Sequence, residues 1–143
     1  MPTAQDQSAW WHLRRVREPL LLWLVLAVGL PNNLYAQIAY GVASWYSTEA
    51  CKYNPDPKCP MANGESLYEA EAKGEKFAAM WDVPFGTRIR VSNLRNARST
   101  IVTIKDRGPA KRLHRQIDLS KRAFTKIASR KEGIIQVKIE EIT

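Results

Sequence analysis

The sequence predicts a mainly β domain, closed or nearly closed into a small barrel. Short runs of alternating polarity recur from Gly41 to Glu140, and Gly and Pro residues fall between those runs. Only one segment has firm helical spacing, so strands joined by crossovers must pair with each other or leave open edges.

The first strand is Gly41 to Tyr46 (GVASWY). A helical turn is expected from Leu67 to Lys73, where Glu69 and Lys73 stand four apart and Gly74 ends the run. Arg88 to Asn93 alternates polar with apolar and is the second strand; Thr100 to Lys105 (TIVTIK) is the third. Ser120 caps a helix running through Ala128, with Ala123, Phe124 and Ile127 spaced to form one inward stripe. Near the end Ile135, Val137 and Ile139 share one face of a strand while Gln136, Lys138 and Glu140 share the other.

The residues ahead of this domain have another character. Arg14, Arg15 and Arg17 precede an apolar run from Leu20 to Leu30, and Leu34-Tyr35-Ala36 places a small residue at the expected cleavage point. That run covers 11 positions, against about 20 for a helix that crosses the hydrocarbon layer. We therefore expect a secretory signal peptide at residues 1–36, cleaved after Ala36, with an uncleaved amphiphilic anchor as the alternative. The working domain is then residues 37–143, enough for one compact core. No cysteine lies near Ala36 to take a lipid, so the exported domain is expected in the periplasm or secreted, without a stable membrane anchor.

Three of the 22 basic and two of the 14 acidic residues precede Gln37, which leaves the domain a net charge of +7. Such a charge attracts polyanions without naming one. Zinc-finger spacing, an aromatic RNA-binding signature and a helix-turn-helix pattern are all lacking, so nucleic acid is not the expected partner. An acidic cell wall or an anionic lipid surface suits an exported protein better. Cys51 and Cys59 are close enough in sequence to form a local disulfide in an oxidising compartment. A metal would need further ligands, and the domain's one histidine, His114, is distant in sequence, so no metal and no cofactor are expected.

Three turns are dense in special residues: Ala62-Asn63-Gly64-Glu65, Phe85-Gly86-Thr87 and Asp106-Arg107-Gly108-Pro109. Asp106 ends a β run before a Gly-Pro pair, which holds its carboxylate rigidly at a rim. From the residues alone two readings of Asp106 stand. It closes the turn, by accepting from backbone N–H groups or pairing with Arg107, or it offers a fixed carboxylate to chemistry. Glu65 is open to the same two readings. Phe124 reads as core.

GVASWY at 41–46, ANGE at 62–65, PFGTRIRVSNL at 84–94, DRGP at 106–109 and IDLS at 117–120 together resemble the rare lipoprotein A (RlpA) family. The resemblance spans nearly all of the domain. It implies a six-stranded double-psi β-barrel with one or two short helices, related in fold to expansins, acting on peptidoglycan in a Gram-negative envelope. Active members are lytic transglycosylases that cut peptide-stripped glycan between N-acetylmuramic acid and N-acetylglucosamine, the muramic 6-hydroxyl closing a 1,6-anhydro ring.

Carried over by motif, the resemblance makes Asp106 the expected acid/base and Glu65 the second carboxylate, with their roles open to exchange. Asn63 and Arg107 are expected substrate contacts. His114 is expected either to be one or to belong to a solvated basic rim with Lys111, Arg112 and Arg115 that contacts anionic wall components. Trp45 and Tyr46 are expected either to stack on sugars or to pack into the core. Asp118 is expected to serve structure, paired with Arg107 or a backbone group near the helix start. One departure stands out: many members have a histidine where this chain has Met80, and a thioether moves no proton. The competing reading is therefore a non-catalytic wall-binding or expansin-like module. The sequence shown ends at Thr143, so recruitment to a division site is expected to rest on cell-division or envelope partners.

Overall fold

The computed structural model describes residues 38–142. The expected export signal at residues 1–36 lies outside the described residues. Six strands, β1 (Ile38–Tyr46), β2 (Phe77–Ala79), β3 (Arg88–Asn93), β4 (Ser99–Asp106), β5 (Ile117–Ser120) and β6 (Ile135–Ile142), close into a barrel in the order β1-β5-β2-β4-β3-β6. β1 runs parallel to β5 and β2 parallel to β4, while the four remaining pairings are antiparallel. This is the six-stranded closed barrel that the motifs implied.

The alternating strands form where expected. β3 has the bounds read from its pattern, and β1, β4 and β6 extend those expected by one to three residues at an end. Two strands were not foreseen. β2 is apolar and buried at all three positions, so it lacks the polar alternation that marks a strand covered on one face only. β5 does alternate, Ile117 and Leu119 inward against Asp118 and Ser120, but over only four residues.

Helix α1 (Leu67–Ala72) starts at Ser66, whose hydroxyl accepts from the Glu69 amide, and ends before Gly74 at φ +68°. Helix α2 (Lys121–Ile127) starts at Ser120, whose hydroxyl accepts from the Ala123 amide. The Ile127 carbonyl at its end has lost its helical partner. The side-chain amides of Asn93 and Asn96 donate to it at 3.0 and 2.9 Å, which ties the helix end to the end of β3.

Apolar side chains fill two compartments. The larger lies within the barrel and under α2, and includes Ala43, Val91, Val102, Ile104, Leu119, Phe124 and Val137. The smaller lies on the outer side of β2, where Cys51, Cys59, Met61, Leu67, Ala70 and Phe77 pack beneath the 47–72 segment. Cys51 and Cys59 are joined by the expected disulfide, with Cα atoms 5.6 Å apart. β2 therefore has apolar cover on both sides.

Candidate active site on the outer face of the barrel

Strand pairing assembles the candidate site. Ser44 on β1 is in register with Asp118 on β5, Asp118 with Ala79 on β2, and Ala79 with Asp106 on β4. Partners in register project to the same side of a sheet, so four strands present one row: Ser44, Asp118, Ala79, Asp106. The Ala79 methyl, itself buried, stands between the two half-buried carboxylates.

Asp106 reaches this row through an irregularity. Val102 and Ile104 face the barrel interior, and strict alternation would send Asp106 inward with them. The β2–β4 register instead shifts between Ala78 and Ala79, so that Ala78 opposes Ile104 but Ala79 opposes Asp106. A bulge of this kind re-aims a side chain. Lys105 and Asp106 accordingly both contact the covering 61–75 segment: Lys105 Nζ bonds Glu65 and Glu75, each at 2.6 Å, and Asp106 accepts from the Ala62 amide at 2.8 Å.

The Arg107 amide also donates to the same oxygen of Asp106, Oδ1, at 2.8 Å. Turn closure by backbone amides is thus what Asp106 does with one oxygen. Gly108 follows at φ +152° with its position for a Cβ only 3.5 Å from the Ala79 methyl, so this turn needs glycine's freedom. Arg107 does not pair with a carboxylate of the row. Its guanidinium donates to the Met80 carbonyl at 3.0 Å and lies 3.7 Å over the Phe85 ring.

Asp118 accepts from the Ser44 hydroxyl, and Arg115 donates to that same hydroxyl at 3.0 Å. This corrects the expected pairing of Asp118 with Arg107 or a helix-start amide, because α2 is capped by Ser120 and Arg107 turns toward Met80. Burial raises the Asp118 pKa, and the Asp106 charge raises it further, against the Ser44 bond and Arg115, which lower it. Burial disfavours the ionised form when the compensating charge is incomplete.

Glu65 is held the other way. The bond from Lys105 lowers its pKa, and the Asn63 side-chain amide adds a bond at 2.9 Å. Asn63 is itself spanned by this turn, its side-chain oxygen accepting from the Glu65 amide, and Gly64 sits at φ +89° between them. Asn63 therefore sets the orientation of Glu65.

Trp45 and Tyr46, expected as a pair, separate. Neighbouring residues of a strand point to opposite faces. Trp45 packs on the main core, its ring 6.5 Å from that of Phe124, away from the carboxylate row. Tyr46 goes to the outer side, edge-on to Phe77 at 5.8 Å between centroids. Its buried hydroxyl faces Asp106 and Asp118 without closing a hydrogen bond of normal geometry. Burial above all, then the Asp106 and Asp118 charges, push this phenol far above its usual range. Tyr46 is thus a polar floor beneath the carboxylates and not a stacking surface.

Met80 is part-buried against the main core, and its amide bonds the Asp106 carbonyl at 3.2 Å. His114 ends the 3-10 turn Lys111–Leu113 in a left-handed conformation and is exposed. No group of three or more His, Cys, Asp or Glu among the described residues is placed to hold a metal ion. Ser44, and the bond it receives from Arg115, were not anticipated. Ser44 was legible in principle, since it shares the face of Tyr46 two residues on; Arg115 was legible only as one of a basic cluster, without its partner.

The family profile described as "Lytic transglycolase" matches residues 38–139. The "Endolytic peptidoglycan transglycosylase RlpA" of Pseudomonas aeruginosa is 37% identical over 113 residues, covering 78% of this chain and 29% of that one. The "Probable endolytic peptidoglycan transglycosylase RlpA" of a Nostoc strain is 47% identical over 75 residues, covering 48% and 20%. The chain thus spans less than a third of the length of these curated relatives. Among solved structures, the "Streptomyces papain inhibitor (SPI)" superposes with a TM-score of 0.56 at 22% identity, covering 77% of this chain and 98% of that one, which is a likeness of fold. Motif order, barrel topology and a profile match over nearly every described residue agree: the chain belongs to the lytic transglycolase family.

Proposed function

We propose that this barrel cleaves peptidoglycan glycan strands as a lytic transglycosylase, outside the cytoplasm, in the periplasm or after secretion. The observation that carries the reading is the row in which Asp118 and Asp106 flank the Ala79 methyl on an outward face. The reaction needs an acid for the leaving oxygen and a base for the attacking hydroxyl, and carboxyls in unlike environments divide that work.

Asp118, whose pKa burial raises, is the proton donor. It protonates the glycosidic oxygen, the C1–O bond of the muramic sugar breaks, and N-acetylglucosamine leaves with a free 4-hydroxyl. The muramic 6-hydroxyl closes on C1, and its proton passes to Asp106. Return of that proton to Asp118 resets the site. While Asp118 is ionised, Arg115, which lowers its pKa, compensates the charge. Glu65, kept as a carboxylate by Lys105, adds negative potential where positive charge develops on the sugar ring. Met80 takes no part in proton transfer in this scheme, so the usual histidine is dispensable to it.

Incubating the protein with amidase-treated sacculi and reading the products by mass spectrometry tests this directly. Anhydromuramyl ends should appear, and Asp106→Asn should lower their rate by about 10²- to 10⁴-fold, the usual contribution of a general acid or base. No anhydro product with the protein in excess would end the catalytic reading. Met80 and the domain's charge of +7 favour a second reading, wall binding without cleavage; it predicts sacculus binding that survives Asp106→Asn and falls steeply with salt.

A further inference from the structure

Beside the carboxylate row, two exposed aromatic rings stand out on the loop after β2. Trp81 is 39% exposed and Phe85 42%. Trp81 is held at both ends. Its indole N–H donates to the Pro109 carbonyl at 2.6 Å, and the carbonyl of the preceding residue, Met80, accepts from Arg107 at 3.0 Å. Arg107 in turn rests on Phe85. The ring is thereby locked against the turn that carries Asp106, two residues along the chain from Ala79 in the row. Asp82, next in sequence, takes a left-handed conformation at φ +59°, a backbone cost accepted where the loop turns away from the ring.

Lys111 lies over this indole, its ammonium 5.8 Å from the ring centroid. Lys111 belongs to the Lys111–Leu113 turn, which Arg112 shares and Arg115 follows. A fixed aromatic face gives an apolar platform at little entropic cost. Lys111 stands over that face, so a stacked pyranose displaces its ammonium to the rim, and a cation there selects a ring that carries an anion. A muramic sugar without its peptide carries a lactyl carboxylate; N-acetylglucosamine carries none.

We propose that Trp81 and Lys111 form a sugar subsite next to the carboxylates, Trp81 stacking on a pyranose ring and Lys111 reading the lactyl carboxylate of an acidic one. The inference deepens the glycan-cleaving reading and rests on it for the kind of ligand, but binding, not cleavage, tests it.

Calorimetry on the full chain, in an Asp118→Asn background that prevents turnover, would compare two probes: a peptide-free tetrasaccharide of alternating N-acetylglucosamine and N-acetylmuramic acid, and chitotetraose. Trp81→Ala should weaken both about tenfold, equivalent to about 1.4 kcal/mol, and Trp81→Phe should keep most of the affinity. Lys111→Gln should weaken only the muramic probe, bringing it toward chitotetraose. The subsite is refuted if Trp81→Ala and Lys111→Gln bind both probes like the parent, or if Lys111→Gln weakens both equally. Should Trp81→Ala unfold, Trp81→Phe and Lys111→Gln carry the decision through the ratio of the two affinities. Absence of anhydro product together with these losses would sink the catalytic reading and leave the subsite standing; cleavage together with unchanged affinities would do the reverse.

Discussion

The two walls of the barrel are built on different terms. In the wall of β3, β6 and the adjoining part of β4, antiparallel neighbours alternate buried and open positions, as in the Arg88–Asn93 stretch, where Ile89, Val91 and Asn93 are buried and Arg88 and Arg90 are exposed. In the wall of β1, β5, β2 and β4, two parallel pairings occur and β2 is covered on both sides, by the main core within and the Cys51–Met61–Phe77 cluster without. The first wall is ordinary packing against one core. The second has its outer compartment stop short of one row of positions, and there the carboxylates stand.

The comparison is broken most sharply by removing the outer compartment's anchor. Phe77 is fully buried on β2, and Phe77→Ala should cost about 3–5 kcal/mol, whereas Ile139→Val in the first wall should cost only about 0.5–1.5 kcal/mol. Urea denaturation of the two variants measures the contrast; equal losses would mean that the outer cluster adds little to the second wall. Next in size, replacing Cys51 and Cys59 together by serine should cost about 2–3 kcal/mol through the unfolded chain. Because the disulfide lies in the cover and not in the row, anhydro-product formation under conditions where the variant stays folded should persist; its loss would show that the cover itself sets the carboxylate geometry.

The smallest effect is in stability against pH. Burial holds the folded-state pKa of Asp118 above its ordinary value, so the folded state binds this proton more tightly than the unfolded chain. Stability is then highest below the unfolded carboxyl's range and is lost as pH rises through the folded-state value. Asp118→Asn removes that loss while keeping an acceptor for Ser44. Its melting temperature should fall less than the parent's as the pH rises through this window, and should lie above the parent's at neutral pH, with cleavage abolished. Parallel curves would mean that Asp118 ionises in the folded protein as freely as in the unfolded chain. The sign is the one expected where a site holds a charge that the fold would not choose.

How much was legible follows the same division. β3 and β6 could be read because one-sided burial writes a period of two into the chain. Phe77-Ala78-Ala79 could not, because burial on both faces erases it, and Ile117-Asp118-Leu119-Ser120 alternates but is too short for the period to stand out. Within the site, Asp106 and Glu65 were legible as residues in turn motifs, and the N-cap serine of α2 was legible from local chemistry alone. The partners of Asp118 were not, since Ser44 lies 74 residues away in sequence and Arg115 reaches it only through that hydroxyl.

By itself, then, the sequence determined the fold class, the alternating strands, both helices and the family, because each is written in local periodicity, capping residues and ordered motifs. Only the tertiary structure decided which carboxylates meet. Asp106 and Asp118 share a row because β2 is inserted between β4 and β5 and because its register with β4 slips at Ala79. Register is a property of two strands taken together, and a shift of one residue turns a side chain from one face to the other, so no reading of either strand alone contains it.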